Sequence, residues 1–317
     1  MACGRWQLFG LAVALAACGG NDGKTPAHSG QPVDSADSGA EVCGPLVVPD
    51  TSGCLEIQET DPEARGRWPD ILRRQYNADG HEVANDVRGG EHPDSERFCR
   101  KEWDGDRLLS EQCAGVSVYA YAYSYDTDGH LLQTTYDAGS DGALDKVWAH
   151  LTDAHGNVVE TTVDDDVDGT PDAIQTFAYD TDGRLVEETW DYTYDGAVDY
   201  LRTLTWDGDQ LVGEAEDTDG DGVVDRERTT EFDDLGRPEV AYLYNDGSST
   251  AAETTRWTYT DCQLDTHTVT DAGGNRTELV FIHDDLGRET MRVEDWDADG
   301  APDRIWATAW QCPGDAR

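Results

Sequence analysis

Positive charge is scarce in this sequence. Lys and Arg number 23 against 67 Asp and Glu, a formal net charge of −44 over 317 residues. Such a surface repels nucleic acid and anionic lipid heads, so nucleic acid is excluded as a partner. Long apolar runs are also lacking. Past residue 17 no stretch is apolar enough to span a bilayer as a helix, and no helix-length amphipathic pattern appears. There is no CxxC pair for zinc or thiol exchange, no HExxH, no GxSxG, no P-loop and no GxGxxG. The histidines are scattered, and acidic pairs are so common that none marks a glycosidase-like site. The sequence therefore points away from an enzyme.

What is present begins with an address. Arg5 precedes an apolar run over residues 8–17, the length of a signal-peptide core rather than of a membrane span. Residues 1–17 are thus expected to be a leader. The run ends in Leu15-Ala16-Ala17-Cys18, which resembles the lipobox of bacterial lipoproteins. The resemblance implies cleavage before Cys18, lipidation of Cys18, and attachment to the membrane without a spanning helix. Gly19 rather than Asp follows, which implies the outer membrane of the cell envelope. Residues 18–42 are rich in Gly, Ser, Asp, Pro and Ala and read as a flexible tether. A loop-rich segment is expected over 43–74 and a repeat domain over 75–317.

Apart from Cys3 and Cys18, six cysteines remain, an even number suited to disulfides in an exported chain. Cys43 and Cys54 bracket a Pro/Gly-containing loop. Cys99 and Cys113 lie nearly symmetrically about Asp104-Gly105-Asp106, as partners across a hairpin would. Cys262 and Cys312 are the pair left over.

Two signals alternate along the rest. One is an aromatic–Asp–x–x–Gly turn: YDTDGHL from Tyr125, YDTDGRL from Tyr179, FDDLGRP from Phe232 and HDDLGRE from His283, with weaker copies at Tyr76, Thr152 and Trp206. The other is a nine-residue aspartate loop starting at Asp137, Asp164, Asp191, Asp217 and Asp295. Between them lie segments of about seven residues rich in Val, Leu, Thr, Tyr and Trp. A period of about 26 residues thus holds two strands and two turns. The predicted fold is all-β: an antiparallel meander of repeated hairpins in a twisted or curled open sheet. All aspartate loops should lie on one edge, with the other turns on the opposite edge. The YDTDGRL and FDDLGRP elements resemble the YD repeats of Rhs-type proteins, which implies this strand-and-turn architecture from about residue 75 onward.

The aspartate loops read D-x-D-x-D-G-x-x-D. Carboxylates at positions one, three, five and nine and the carbonyl of position seven suit calcium, with a glycine at position six taking positive φ. The full sets are Asp164, Asp166, Asp168, Asp172 with Thr170; Asp217, Asp219, Asp221, Asp225 with Val223; and Asp295, Asp297, Asp299, Asp303 with Ala301. Gly139 and Thr193 replace the third aspartate in two partial sets, Asp137, Asp141, Asp145 and Asp191, Asp195, Asp199. Position twelve is Gln175, Arg228 or Trp306, so these are not EF-hands. The nine-residue form resembles the calcium loop of FG-GAP blades.

The expected function is a calcium-stabilised, lipid-anchored envelope module that binds carbohydrate or an envelope protein, or acts as a scaffold. Tyr119, Tyr121, Tyr123, Trp148, Trp190, Trp206, Trp257 and Trp306 supply rings for stacking. A carboxylate-based hydrolase and a purely structural spacer are the alternatives.

Overall fold

In a computed structural model the described residues are 53–60, 71–88, 96–260 and 263–312. The chain divides into the units Met1–Val42 and Cys43–Arg317. The described residues all belong to the second; the leader, the tether, Cys18, Cys43 and Cys262 lie outside them.

The described residues form strands and no helix. The strands are β1 (Leu55–Thr60), β2 (Ile71–Tyr76), β3 (Glu82–Arg88), β4 (Arg97–Asp104), β5 (Arg107–Gly115), β6 (Tyr119–Tyr125), β7 (Leu131–Ala138), β8 (Lys146–Thr152), β9 (Val158–Asp164) and β10 (Ala173–Tyr179). They continue as β11 (Leu185–Asp191), β12 (Tyr200–Asp207), β13 (Gln210–Asp217), β14 (Arg226–Phe232), β15 (Pro238–Asn245), β16 (Glu253–Thr260), β17 (Gln263–Asp271), β18 (Arg276–His283), β19 (Glu289–Asp295) and β20 (Arg304–Gln311). Each pairs antiparallel with the next, and from β6 onward alternate strands begin at residues 119, 146, 173, 200, 226, 253, 276 and 304, as the repeat predicts.

Three expectations need correction. The sheet is not open: β1 pairs with β2 on one side and with β20 on the other, Leu55 opposite Gln311 and Thr60 opposite Trp306. The meander closes into a 20-stranded barrel, which leaves no unpaired edge to attract other chains. Closure also redirects the disulfides. Cys54 bonds Cys312, not Cys43, and Cys262 has lost the partner expected for it, because the first and last strands are neighbours. Cys99–Cys113 forms as expected between directly opposed residues of β4 and β5. The segment 43–74, expected to be loop-rich, supplies β1 and most of β2.

The turns explain the aromatic–Asp–x–x–Gly signal. In the turns at Asp126, Asp153, Asp180, Asp233 and Asp284, the Asp side chain accepts N–H bonds from the residues two and four further on, as Asp180 does from Asp182 and Arg184, both at 2.9 Å, and Asn77 does the same after Tyr76. Where an Arg follows the glycine, it returns to the same carboxylate: Arg184 to Asp180, Arg237 to Asp233 and Arg288 to Asp284, at 2.7–2.8 Å. Those guanidinium groups also lie over Trp206, Tyr259 and Trp310 of the next hairpin. The aromatic ahead of the turn clamps the previous hairpin. Tyr179 and Tyr259 donate their hydroxyls to the carbonyls of Val158 and Pro238, and Trp103, Trp206 and Trp310 their indole N–H groups to those of Glu82, Leu185 and Glu289, each 21 residues earlier.

Little is fully buried. Among the described residues eight apolar side chains are, and seven of them — Cys54, Cys99, Cys113, Val163, Ala173, Leu204 and Ala241 — share one face of the sheet by alternation and register. That face also carries Tyr119, Tyr121, Tyr136, Trp148, Trp190, Trp257 and Trp306, with a ladder of charges, Glu188–Arg202–Glu214. The other face is mostly Thr, Ala and Val, interrupted by Glu160, Glu187, Glu227 and Arg256. Among the described residues both faces mix apolar and charged side chains.

Candidate metal centre on the aspartate rim

Strand direction alternates, so the five aspartate loops join β7–β8, β9–β10, β11–β12, β13–β14 and β19–β20 on one rim. All five have the same internal bonding. The first Asp accepts the N–H of the glycine at position six: Asp137 from Gly142, Asp164 from Gly169, Asp191 from Gly196, Asp217 from Gly222 and Asp295 from Gly300, at 2.7–2.9 Å. The fifth accepts from position seven, as Asp221 does from Val223 at 2.8 Å and Asp168 from Thr170 at 2.7 Å. The ninth accepts from position two, as Asp225 does from Thr218 and Asp303 from Trp296. The position-six glycines sit at φ 85–90°, where a side chain would be strained. Position four is left-handed too, at Ser140, Val167, Tyr194 and Ala298 with φ 50–58° and at Gly220 with 71°. The motif had not signalled this.

The loops with Gly139 and Thr193 at position three form the same bonds as the other three. A third aspartate is therefore surplus to the shape. Its only bond here is a long one, from the fifth residue's N–H at 3.2–3.3 Å to Asp166, Asp219 and Asp297. What it adds is a carboxylate. In the full loops, oxygens of Asp164, Asp166 and Asp172, of Asp217, Asp219 and Asp225, and of Asp295, Asp297 and Asp299 gather within 4.8 Å of one another. Asp168, Asp221 and Asp303 fall outside these triples, and the partial loops gather none among the described residues.

Asp295 stands apart. It is 8% exposed, and its Oδ1 is buried without a hydrogen-bond partner. The matching oxygens of Asp164 and Asp217 are met by N–H groups of Asp168 at 3.2 Å and Gly220 at 2.8 Å. Asp225 is held below the usual carboxylate range by the Thr218 hydroxyl and N–H. Burial alone would raise Asp191, but the N–H groups of Gly196, Asp195, Thr193 and Tyr194 outweigh it. The rim also exposes apolar side chains: Leu144, Tyr192, Tyr194, Val198, Val223, Val224 and Trp296 are all more than two-fifths exposed.

Of the aromatic residues expected for stacking, Tyr119, Tyr121, Tyr123 and Trp148 cluster, joined by Tyr136, whereas Trp190 stacks on Tyr192 and Trp257 lies against His267. Tyr121 lies 4.9 Å from Tyr136, 5.6 Å from Tyr119 and 6.2 Å from Trp148, centroid to centroid. Trp206 is instead spent as a hairpin clamp. A cavity of about 320 Å³ between β3, β4 and β5 is lined by Asp86, Arg88, Arg97 and Phe98 among others. Its Asp86 is paired with Arg88 and Arg73 through Oδ2, while its Oδ1 is buried without a hydrogen-bond partner.

No protein-family model matches the chain, and no curated protein matches it in sequence. Among solved structures, a porin-like protein from Bacteroides uniformis is similar at 12% identity and TM-score 0.39, over 83% of this chain and 98% of that one. The Tc holotoxin pore of Photorhabdus luminescens aligns at 12% identity and TM-score 0.29, over 74% of this chain and 19% of that one. TcdB2–TccC3 without its hypervariable C-terminal region aligns at 11% identity and TM-score 0.29, over 77% of this chain and 20% of that one. The chain thus spans about a fifth of each toxin chain. These superpositions are loose.

Proposed function

We propose that the chain is a calcium-stabilised β-barrel of the cell envelope, lipid-anchored through Cys18, which serves as a binding or scaffold module rather than an enzyme. One observation carries the calcium reading: the third aspartate is dispensable for loop shape, yet three loops carry it beside other carboxylates. Like charges crowded within 4.8 Å oppose folding unless a cation sits among them. Three carboxylates, the position-seven carbonyl and waters reach the six to eight oxygens that calcium takes, whereas magnesium holds its own waters and demands a stricter octahedron. The five-ring cluster around Tyr121 supports carbohydrate or an envelope protein as the partner.

The test uses a natural contrast. Thr193 occupies position three of the 191–199 loop without changing its fold, so Asp219→Thr should keep the 217–225 loop intact and remove its cation. For a site with a dissociation constant of about 10⁻⁴ M, calcium at about 1 mM adds roughly 1.4 kcal/mol. The melting temperature should fall in EDTA, return with calcium more than with magnesium, and return by less in the variant. A melting curve blind to both EDTA and calcium would sink the reading.

A further inference from the structure

We propose that the aspartate rim docks onto an anionic lipid surface, with its bound cations bridging to lipid phosphates and its apolar loop tips entering the headgroup layer. This rests on the calcium reading above and names what the open side of those sites meets.

The site is anchored at the 295–303 loop. Asp295 is 8% exposed; its Oδ2 accepts the N–H of Gly300 and its Oδ1 is buried without a partner in the chain, an acceptor open to a cation. Oxygens of Asp297 and Asp299 lie within 4.8 Å of one oxygen of the Asp295 carboxylate. The loop supplies fewer oxygens than calcium takes, which leaves coordination positions on the solvent side. Phosphate oxygens are hard anionic ligands of the kind calcium prefers there.

The second observation is the composition of the tips. Position eight, beside the last aspartate of each loop, is apolar in all five: Leu144, Pro171, Val198, Val224 and Pro302. Leu144, Val198 and Val224 are 44%, 46% and 42% exposed. Val223 is 60% exposed, and Tyr192 and Trp296, at position two of their loops, 53% and 41%. Tyr and Trp are the side chains that settle at a membrane–water boundary. Successive hairpins set the first four tips about 10 Å apart in a row along the rim, and the β15–β16 and β17–β18 connections separate the 295–303 loop from them. Without cations the same rim is a row of carboxylates, which anionic lipid repels. Docking is therefore switched by calcium and needs negative lipid.

The test is flotation of the full chain carrying Cys18→Ser, so that no lipid of its own holds it, with vesicles of phosphatidylglycerol and phosphatidylcholine or of phosphatidylcholine alone. Binding should appear with calcium on the anionic vesicles and vanish in EDTA or on neutral ones. The Val198→Ser, Val224→Ser double variant should bind about tenfold less while its melting temperature still responds to calcium. Calcium-responsive melting with no calcium-dependent flotation overturns the docking and leaves the calcium reading standing. Equal flotation in EDTA, or on neutral vesicles, also overturns it. If melting itself ignores calcium, the calcium reading falls and the docking with it.

Discussion

Replacing both cysteines of each disulfide by serine should separate the two bridges by their span. Cys54–Cys312 joins residues 258 apart, and Cys99–Cys113 residues 14 apart. In the chain-entropy account the unfolded state loses freedom as 1.5R times the logarithm of the loop length, plus a constant. The short bridge then contributes about 3 kcal/mol and the long one about 5.5, a difference of about 2.5 kcal/mol. The difference is the sounder figure, because the constant cancels. The structure adds a reason for the long bridge to matter further: it sits where β1 meets β20, the only junction of the barrel whose strands are not linked by a short connection. Urea denaturation of the oxidised wild type and the two double variants, followed by far-ultraviolet circular dichroism, gives the comparison. Equal shifts in midpoint, or a larger shift for the Cys99/Cys113 pair, would refute both the entropy argument and closure as the weak point of the ring.

Val167 is β-branched yet sits at φ 58°, a backbone state costing about 1–3 kcal/mol. Gly220 holds the same position in its own loop, so Val167→Gly should raise the melting temperature despite glycine's unfolded-state entropy, and a lower value would show that Val167 is unstrained. Acid should weaken the fold through the turns. Asp180 is lowered by the N–H and guanidinium of Arg184, and Asp126 by the N–H of His130; burial alone would raise Asp233 and Asp284, but their bonds to Arg237 and Arg288 win. Depressed carboxylates contribute stability that is present above the unfolded value of 3.8 and is lost as pH falls below it. In EDTA, melting temperature should therefore hold down to about pH 4 and then drop, less steeply for Asp180→Asn; a main drop between pH 7 and 5 would contradict this.

The parts of this molecule that are local in the chain are legible in its sequence. Asp180, Gly183 and Arg184 build one turn within five residues, and the 26-residue spacing repeats it, so strands, register and rims follow. Cys99 and Cys113 flank one such turn, and their pairing follows as well. Closure does not. Nothing near Leu55 or Gln311 announces that they meet, since the match depends on the summed twist of every strand between them. The pairing of Cys54 with Cys312 was hidden for the same reason. At the aspartate rim the ligand types and spacing could be read, but the left-handed fourth position could not, because Ser140, Val167, Tyr194 and Ala298 share no preference for it. Nor could the lone oxygen of Asp295, which differs from its counterparts only in what its loop leaves unbonded.

A ring sealed by β1, β20 and a covalent bridge has no structural beginning. Every hairpin meets its neighbours in the same way, including across the seam, so the order in which the chain visits them is a matter of genetics rather than of packing. The seam residues Cys54 and Cys312 lie on the rim of the aromatic–Asp turns, where a few added residues replacing the bridge could carry the backbone across. New ends opened at an exposed turn such as residues 233–237 would then give a barrel with the same ladder of pairs and the same aspartate rim, started from its middle.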